Sequence, residues 1–270
     1  ISKGVPTVLD FFDEHLCGGW RPREITIIGG HGGVGKTTLM LQLLRNFASR
    51  GFISTLISLE MEWVDLLEWV FEQNGLRPDF PDEKFESVKK GLEKWVRIVK
   101  PDLKNDESYI LSMMELSARI DGVRFFMLDN LTMMDMPMDD FDRLKQFIID
   151  CMKFAKRYDA HIIILAHNRK HGNGKGESST PTIDSILGSG NITRLANNVV
   201  LMYGKKLKEG DLRRITILDI VKHRKHGKLG KGEFEIVDRK TFQKYIPHVR
   251  DNYRQGETED DELDDDFFYK

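Results

Sequence analysis

The chain has 270 residues, of which 40% are hydrophobic and 31% charged, and a net charge of −2; that length and apolar content suit one α/β domain with a sizeable core better than two small ones. Its two cysteines, Cys17 and Cys151, stand far apart and outside any C-x-x-C pattern, so neither a disulfide framework nor a zinc site is supported and both read as small core residues. An apolar run such as Ile162–Ala166 is far too short to cross a bilayer and the start of the chain lacks a signal pattern, so a soluble, reducing, intracellular setting without membrane contact is expected.

The first residue is Ile1, as expected of a fragment or processed product with a further domain upstream. Glu24–Gly29 is a short β-branched run ending in glycine, and Thr37–Arg50 repeats apolar residues at Leu39, Met40, Leu43, Leu44 and Phe47. The order is strand, glycine loop, helix. A second strand, Ser54–Leu59, ends on Glu60 and leads to a helix over Trp63–Gln73. Between Gly75 and Asp106 the chain is polar and charged, and the spacing predicts one amphipathic helix around Glu86–Val99. Tyr109–Ile120 reads as a helix, Arg124–Leu128 as a strand delivering Asp129, Phe141–Tyr158 as a helix and His161–Ala166 as a buried strand ending at His167.

Strands alternating with helices predict crossover units, hence a mostly parallel sheet with helices on both faces. From Val199 onward strand follows strand, at Val199–Tyr203, Ile215–Val221, Glu233–Val237 and Phe242–Ile246, the last two forming a hairpin. Glu257–Asp266 then holds eight acidic residues and no basic one, against 40 basic and 35 acidic residues before it, a net +5. A mildly basic body with an acidic tail suits a protein that handles a polyanion and keeps the tail for another partner, although a solubilising end would read the same.

Gly30-His31-Gly32-Gly33-Val34-Gly35-Lys36-Thr37 fits G-x-x-x-x-G-K-[ST] between a strand and an amphipathic helix. Glycines let successive backbone N–H groups wrap phosphates, and the helix N-terminus adds partial positive charge. Lys36 is then the phosphate clamp and Thr37 a Mg²⁺ ligand, with Gly30, Gly32, Gly33, Val34, Gly35 and Thr38 completing a site for ATP. Asp129, at the end of an apolar strand, is the expected second Mg²⁺ holder. Glu60 is placed to activate the attacking water, with Glu62 as the rival base, and His167 to sense the terminal phosphate. Arg169–Ser179 is basic and glycine-rich, which suits sequence-independent contact with a nucleic-acid backbone through Arg169, Lys170 and Lys175, or a merely solvated loop. Lys222 and Arg224 fall on one face of a strand end, where two cations could stabilise a transferred phosphoryl group, their own or a neighbour's.

These residues resemble the RecA-type motor of ring-shaped replicative helicases, the group of bacterial DnaB, phage primase-helicases and mitochondrial Twinkle. The resemblance covers most of residues 4–246. It runs through Leu9-Asp10, Gly18-Gly19, the glycine loop, Ser58-Leu59-Glu60-Met61, Phe126–Leu131, Leu165-Ala166-His167, Leu187-Gly188-Ser189-Gly190 and Lys222-His223-Arg224. It implies a RecA-like P-loop domain with a C-terminal antiparallel extension, spanning residues 1–250 ahead of a disordered tail at 251–270. It implies Glu60 rather than Glu62 as the catalytic acid, His167 as the phosphate sensor, and a DNA-binding loop after it. Lys222 and Arg224 match the sensor lysine and arginine finger given to the neighbouring subunit's ATP. A homohexamer moving 5′ to 3′ on single-stranded DNA follows, in a bacterial or phage-infected cytoplasm or, for a Twinkle-like protein, the mitochondrial matrix. The aromatic-ended tail, Asp264–Tyr269, resembles phage helicase tails that dock on the replicative polymerase. Two positions depart from many relatives: Ser185-Ile186-Leu187 stands where they have D-L-R, and Asn197 where they have aspartate. A RecA- or clock-type remodelling ATPase without unwinding is the alternative, and a purely structural ATP-held ring is a third reading.

Overall fold

Phe125–Asp129 shows how the sheet is buried: Phe125 and Met127 face one apolar layer, while Phe126 and Leu128 face the other. With period two and no polar face, such a strand needs cover on both sides. The same alternation splits Ile27 from Ile28 and Ile164 from Leu165. The computed structural model describes residues 4–7, 9–76, 83–101, 104–137, 140–168, 181–186, 189–205, 213–225, 228–237 and 241–244.

In chain order the described elements are α1 (Asp10–His15), β1 (Glu24–Gly30), α2 (Lys36–Ser49), β2 (Ser54–Ser58), α3 (Trp63–Gln73), α4 (Glu83–Trp95), β3 (Val96–Val99), α5 (Glu107–Ile120) and β4 (Phe125–Asp129). There follow α6 (Phe141–Arg157), β5 (His161–His167), α7 (Ser189–Leu195), β6 (Asn198–Gly204), β7 (Ile215–His223), β8 (Gly230–Val237) and β9 (Thr241–Lys244). The strands form one sheet in the order β3-β2-β4-β5-β1-β6-β7-β8-β9. Pairing is parallel from β3 to β6 and antiparallel from β6 to β9. The expected mostly parallel sheet, with helices on both faces and an antiparallel extension, is therefore present.

Helices α1 to α4 cover one face through Phe12, Leu39, Leu43, Phe47, Leu66 and Leu92; α5 to α7 cover the other through Ile110, Met114, Phe147, Phe154 and Ile192. Each of these large side chains contributes about 1.5–3 kcal/mol by leaving water. Asp106 and Asp140 start α5 and α6 by accepting from the N–H groups of Tyr109 (2.9 Å) and Arg143 (3.0 Å).

One expected element changes identity. The helix read at Glu86–Val99 ends at Trp95, and Val96–Val99 is an edge strand parallel to β2. Val96, Ile98 and Val99 are β-branched, and Ser54–Ile57 offers an open strand edge, so pairing overrides the helical period. The second strand of the expected hairpin is seen over Thr241–Lys244, and residues 245–246 lie outside the described part. No helix among the described residues is long and apolar enough to cross a membrane.

Candidate nucleotide site at the carboxyl edge of the sheet

Parallel strands deliver their carboxyl ends to one edge, and here four of them bring chemistry. Gly30 ends β1, Asp129 ends β4, His167 ends β5, and Glu60 follows β2. Register holds them level: Gly30 pairs with His167, and Ser58 with Asp129. They border a cavity of about 300 Å³ lined by Gly32, Gly33, Gly35, Lys36, Thr37 and Thr38, by Glu60, Asp129 and His167, and by Met61, Trp69, Arg214 and Ile236. A second cavity of about 360 Å³, between α3, α4 and β3, is apolar apart from Lys89 and Glu93 and meets no strand-end acid.

The glycine loop leads into α2 without a side-chain cap. Gly35 is the cap residue, in the left-handed region at φ +92°, so the first-turn N–H groups remain available to an anion. A side chain at Gly35 would be strained by that φ, and its Cβ would lie 2.6 Å from Ile236 Cδ1 and 2.9 Å from Phe242 Cζ. Both constraints select glycine. Lys36 is buried, and its ammonium donates to the carbonyls of Gly30 (2.9 Å) and His31 (2.8 Å). Burial lowers its pKa from 10.5 to about 8, against the opposing pull of Asp129 and Glu60.

The Thr37 hydroxyl donates to Asp129 Oδ2 at 2.8 Å. Burial raises the Asp129 carboxyl from 3.8 to about 6, with the nearby Glu60 charge adding to the rise and the Thr37 hydrogen bond opposing it. A hydroxyl and a carboxylate that meet at one point suit Mg²⁺, which takes one or two protein oxygens and completes its octahedron with phosphate and water. Among the described residues no group of three His, Cys, Asp or Glu side chains is placed to hold a metal by itself.

Glu60 keeps 47% of its side chain exposed and accepts from Asn130 Nδ2 at 2.5 Å. Glu62, the rival acid, is instead paired with Lys100. His167 Nδ1 lies 3.4 Å from Lys36 Nζ, and its Nε2 lies 3.1 Å from Asn130 Nδ2.

Lys222 and Arg224 stay out of this cavity. Their side chains reach the carboxyl end of α7, where Lys222 donates to the carbonyls of Thr193 (2.6 Å) and Arg194 (2.8 Å), and Arg224 also donates to Arg194. The expected shared face is thus seen. Arg224 N–H donates to the Asn197 carbonyl, and Asn197 N–H to the Ile25 carbonyl, both at 2.9 Å. That puts Arg224 level with the start of β1, about 16 Å along the strand from Gly30. Asn197 also accepts from the Ile25 N–H at 3.0 Å, so at the aspartate position this chain has a residue that ties β6 to β1. Arg169, Lys170 and Lys175 lie outside the described residues, as does the tail.

Sequence reasoning missed Asn130, Arg214 and Thr216. Arg214 Nη2 donates to the Gly33 carbonyl (2.8 Å) and the Thr216 hydroxyl to that of Val34 (3.0 Å), so the start of β7 ties down two carbonyls of the loop.

The DnaB-like helicase C-terminal domain matches residues 4–245. The chain belongs to that family. No curated protein sequence matches it. Among solved structures, one isolated ATPase domain superposes with a TM-score of 0.75 at 20% identity, covering 90% of this chain and 92% of that one. A DnaB-like replicative helicase, studied with its interactions with primase, superposes with a TM-score of 0.74 at 20% identity, covering 89% of this chain and 61% of that one. At that identity the superpositions speak for the fold, and the chain spans about three fifths of the second protein. The molecule is thus a DnaB-like, RecA-type ATP-binding domain of the replicative helicase family.

Proposed function

We propose that this DnaB-like domain hydrolyses ATP with Mg²⁺ to drive 5′ to 3′ movement along single-stranded DNA and duplex separation as a homohexameric ring. The observation that carries the reading is the split between the two halves of the chemistry. Lys36, Thr37, Asp129, Glu60 and His167 meet at one cavity, while Lys222 and Arg224 lie outside it, level with the middle and the start of β1, with their side chains on the end of α7. Two cations held outside their own glycine-loop cavity suit a neighbour's ATP.

In this reading the glycine-loop N–H groups and Lys36 bind the phosphates, Glu60 orients and deprotonates the attacking water, and His167 contacts the terminal phosphate. Thr37 and Asp129 would hold Mg²⁺, which offsets charge between the outer phosphates. The neighbour's Arg224 and Lys222 stabilise charge as the phosphoryl group leaves. Residues 1–250 form the motor, and the acidic segment 251–270 is a docking tail for a partner such as the replicative polymerase.

Strand displacement on forked DNA with ATP, run beside a mass measurement of the assembly, tests this. Unwinding by a hexamer supports it. ATP hydrolysis without unwinding would favour the remodelling ATPase.

Two further outcomes are expected. Mg²⁺-nucleotide binding requires Asp129 as carboxylate and Lys36 as ammonium. Asp129 is raised to about 6, so below that pH binding must first remove a proton; Lys36 is lowered to about 8, so above that pH binding must add one. Affinity is therefore expected to peak between these values and to fall about tenfold per pH unit outside them. Titration with a fluorescent nucleotide would show this, and Asp129→Asn should bind more weakly but lose the acid limb. Neutralising Arg169, Lys170 and Lys175 together should weaken single-strand binding and reduce its salt slope by about 2, since each phosphate contact contributes about 0.7. An unchanged slope would place the DNA contact elsewhere.

A further inference from the structure

Asn130 is fully buried beside Asp129, and its side-chain oxygen accepts from the Thr132 backbone N–H (3.0 Å) and hydroxyl. A backbone N–H can only donate, so the amide oxygen must face Thr132 and the NH₂ must face the cavity. There Nδ2 meets the Glu60 carboxylate at 2.5 Å and His167 Nε2 at 3.1 Å. An NH₂ has two hydrogens, one for each neighbour.

His167 has donors on both sides, Asn130 at Nε2 and the Lys36 ammonium, 3.4 Å away, at Nδ1. Burial, with the Lys36 charge adding, holds the imidazole below its ordinary pKa, so it is neutral at pH 7.5 and has a single N–H. One of the two contacts must then set donor against donor. The shorter one decides: Nε2 accepts from Asn130, and Nδ1 carries the proton. The opposite tautomer would turn Nε2–H against the amide, with Glu60 Oε2 at 3.8 Å, beyond hydrogen-bond range. Lys36 can spare the contact, because the Gly30 and His31 carbonyls already accept from it.

We propose that Asn130 is a positioning residue that fixes His167 in the Nδ1–H tautomer with one amide hydrogen and holds the Glu60 carboxylate with the other. Nδ1–H and Lys36 Nζ are then two neighbouring donors, 3.4 Å apart, at the cavity wall. A terminal phosphate oxygen that bridges the two from the cavity side accepts from both and relieves the donor–donor contact. The side chain that reads the phosphate and the carboxylate that faces the water are thereby tied to the same buried amide. This rests on the cavity being the ATP site.

The test is ¹⁵N–¹H NMR of the whole chain labelled at histidine, with His167 assigned by its loss in His167→Gln. The expected spectrum at pH 7.5 has a protonated Nδ1 and an unprotonated Nε2. Asn130→Asp, the same shape with two acceptor oxygens, is expected to move the proton to Nε2 and to lower kcat about 10²-fold with little change in the KM for ATP. A wild-type signature of protonated Nε2 overturns the proposal, as does an unchanged His167 spectrum in Asn130→Asp. The wild-type spectrum decides even if the variant fails to fold. Absence of Lys36-dependent ATP hydrolysis would instead remove the proposed function, and the tautomer would still be read directly.

Discussion

Arg224→Ala is expected to lower DNA-stimulated ATP hydrolysis by about 10³–10⁵-fold, the range seen when an arginine finger is removed, while assembly and nucleotide binding persist. Arg224 is exposed, and its guanidinium rests on the Arg194 carbonyl at the end of α7, so its loss leaves no buried charge unpaired. The nucleotide-binding residues of the same chain are untouched, because they lie at the other end of β1. Mixing supplies the decisive measurement. In the proposed ring, Glu60→Gln subunits would lack the water-activating acid but would still offer Arg224 to a neighbour, so mixtures of the two variants should recover part of the activity. If mixtures hydrolyse no faster than either variant alone, Arg224 does not act across a subunit boundary.

Lys36→Met is expected to reduce hydrolysis by at least about 10²–10³-fold, as when a main charge-stabilising donor is deleted. Methionine keeps most of the buried stem, and it removes an ammonium whose burial folding disfavours, as the fall of its pKa to about 8 records. The thermal midpoint without nucleotide should therefore be maintained or rise. What should vanish is the increase in midpoint that Mg²⁺-ATP gives the wild type, since a ligand stabilises only the state it binds. Paired melts with and without nucleotide separate these effects. An intact nucleotide-induced shift in the variant would count against Lys36 as the phosphate clamp.

These two expectations draw on residues legible in the sequence, and the reason is local. A glycine loop is a contiguous signal, and Asp129, His167 and Glu60 sit at or just past the ends of apolar strands, where period and composition announce a turn toward the sheet edge. The mostly parallel fold was legible for the same reason. Val96–Val99 was not, because it follows α4 without a break and its four residues extend the amphipathic pattern; only the open edge of β2 makes it a strand. Asn130 was hidden in another way. It reads as an ordinary turn residue, and its partners Glu60 and His167 lie 70 and 37 positions away. Arg214 and Thr216 meet the loop from 181 and 182 positions away, a distance at which side-chain pairing leaves no local trace.

The wall that Ile236 and Phe242 build behind Gly35 has a consequence for how the molecule comes into being. Gln42, in the second turn of α2, exchanges two hydrogen bonds with the backbone of Phe242, 200 residues later. A ribosome therefore releases the loop some 200 residues before the strand that braces it. Nascent chains would hold the nucleotide motif long before they hold a nucleotide site, and contacts spanning so much sequence form late and slowly. Binding competence and completion of the sheet would then arrive together, so unfinished chains in the cell would neither capture nor consume ATP.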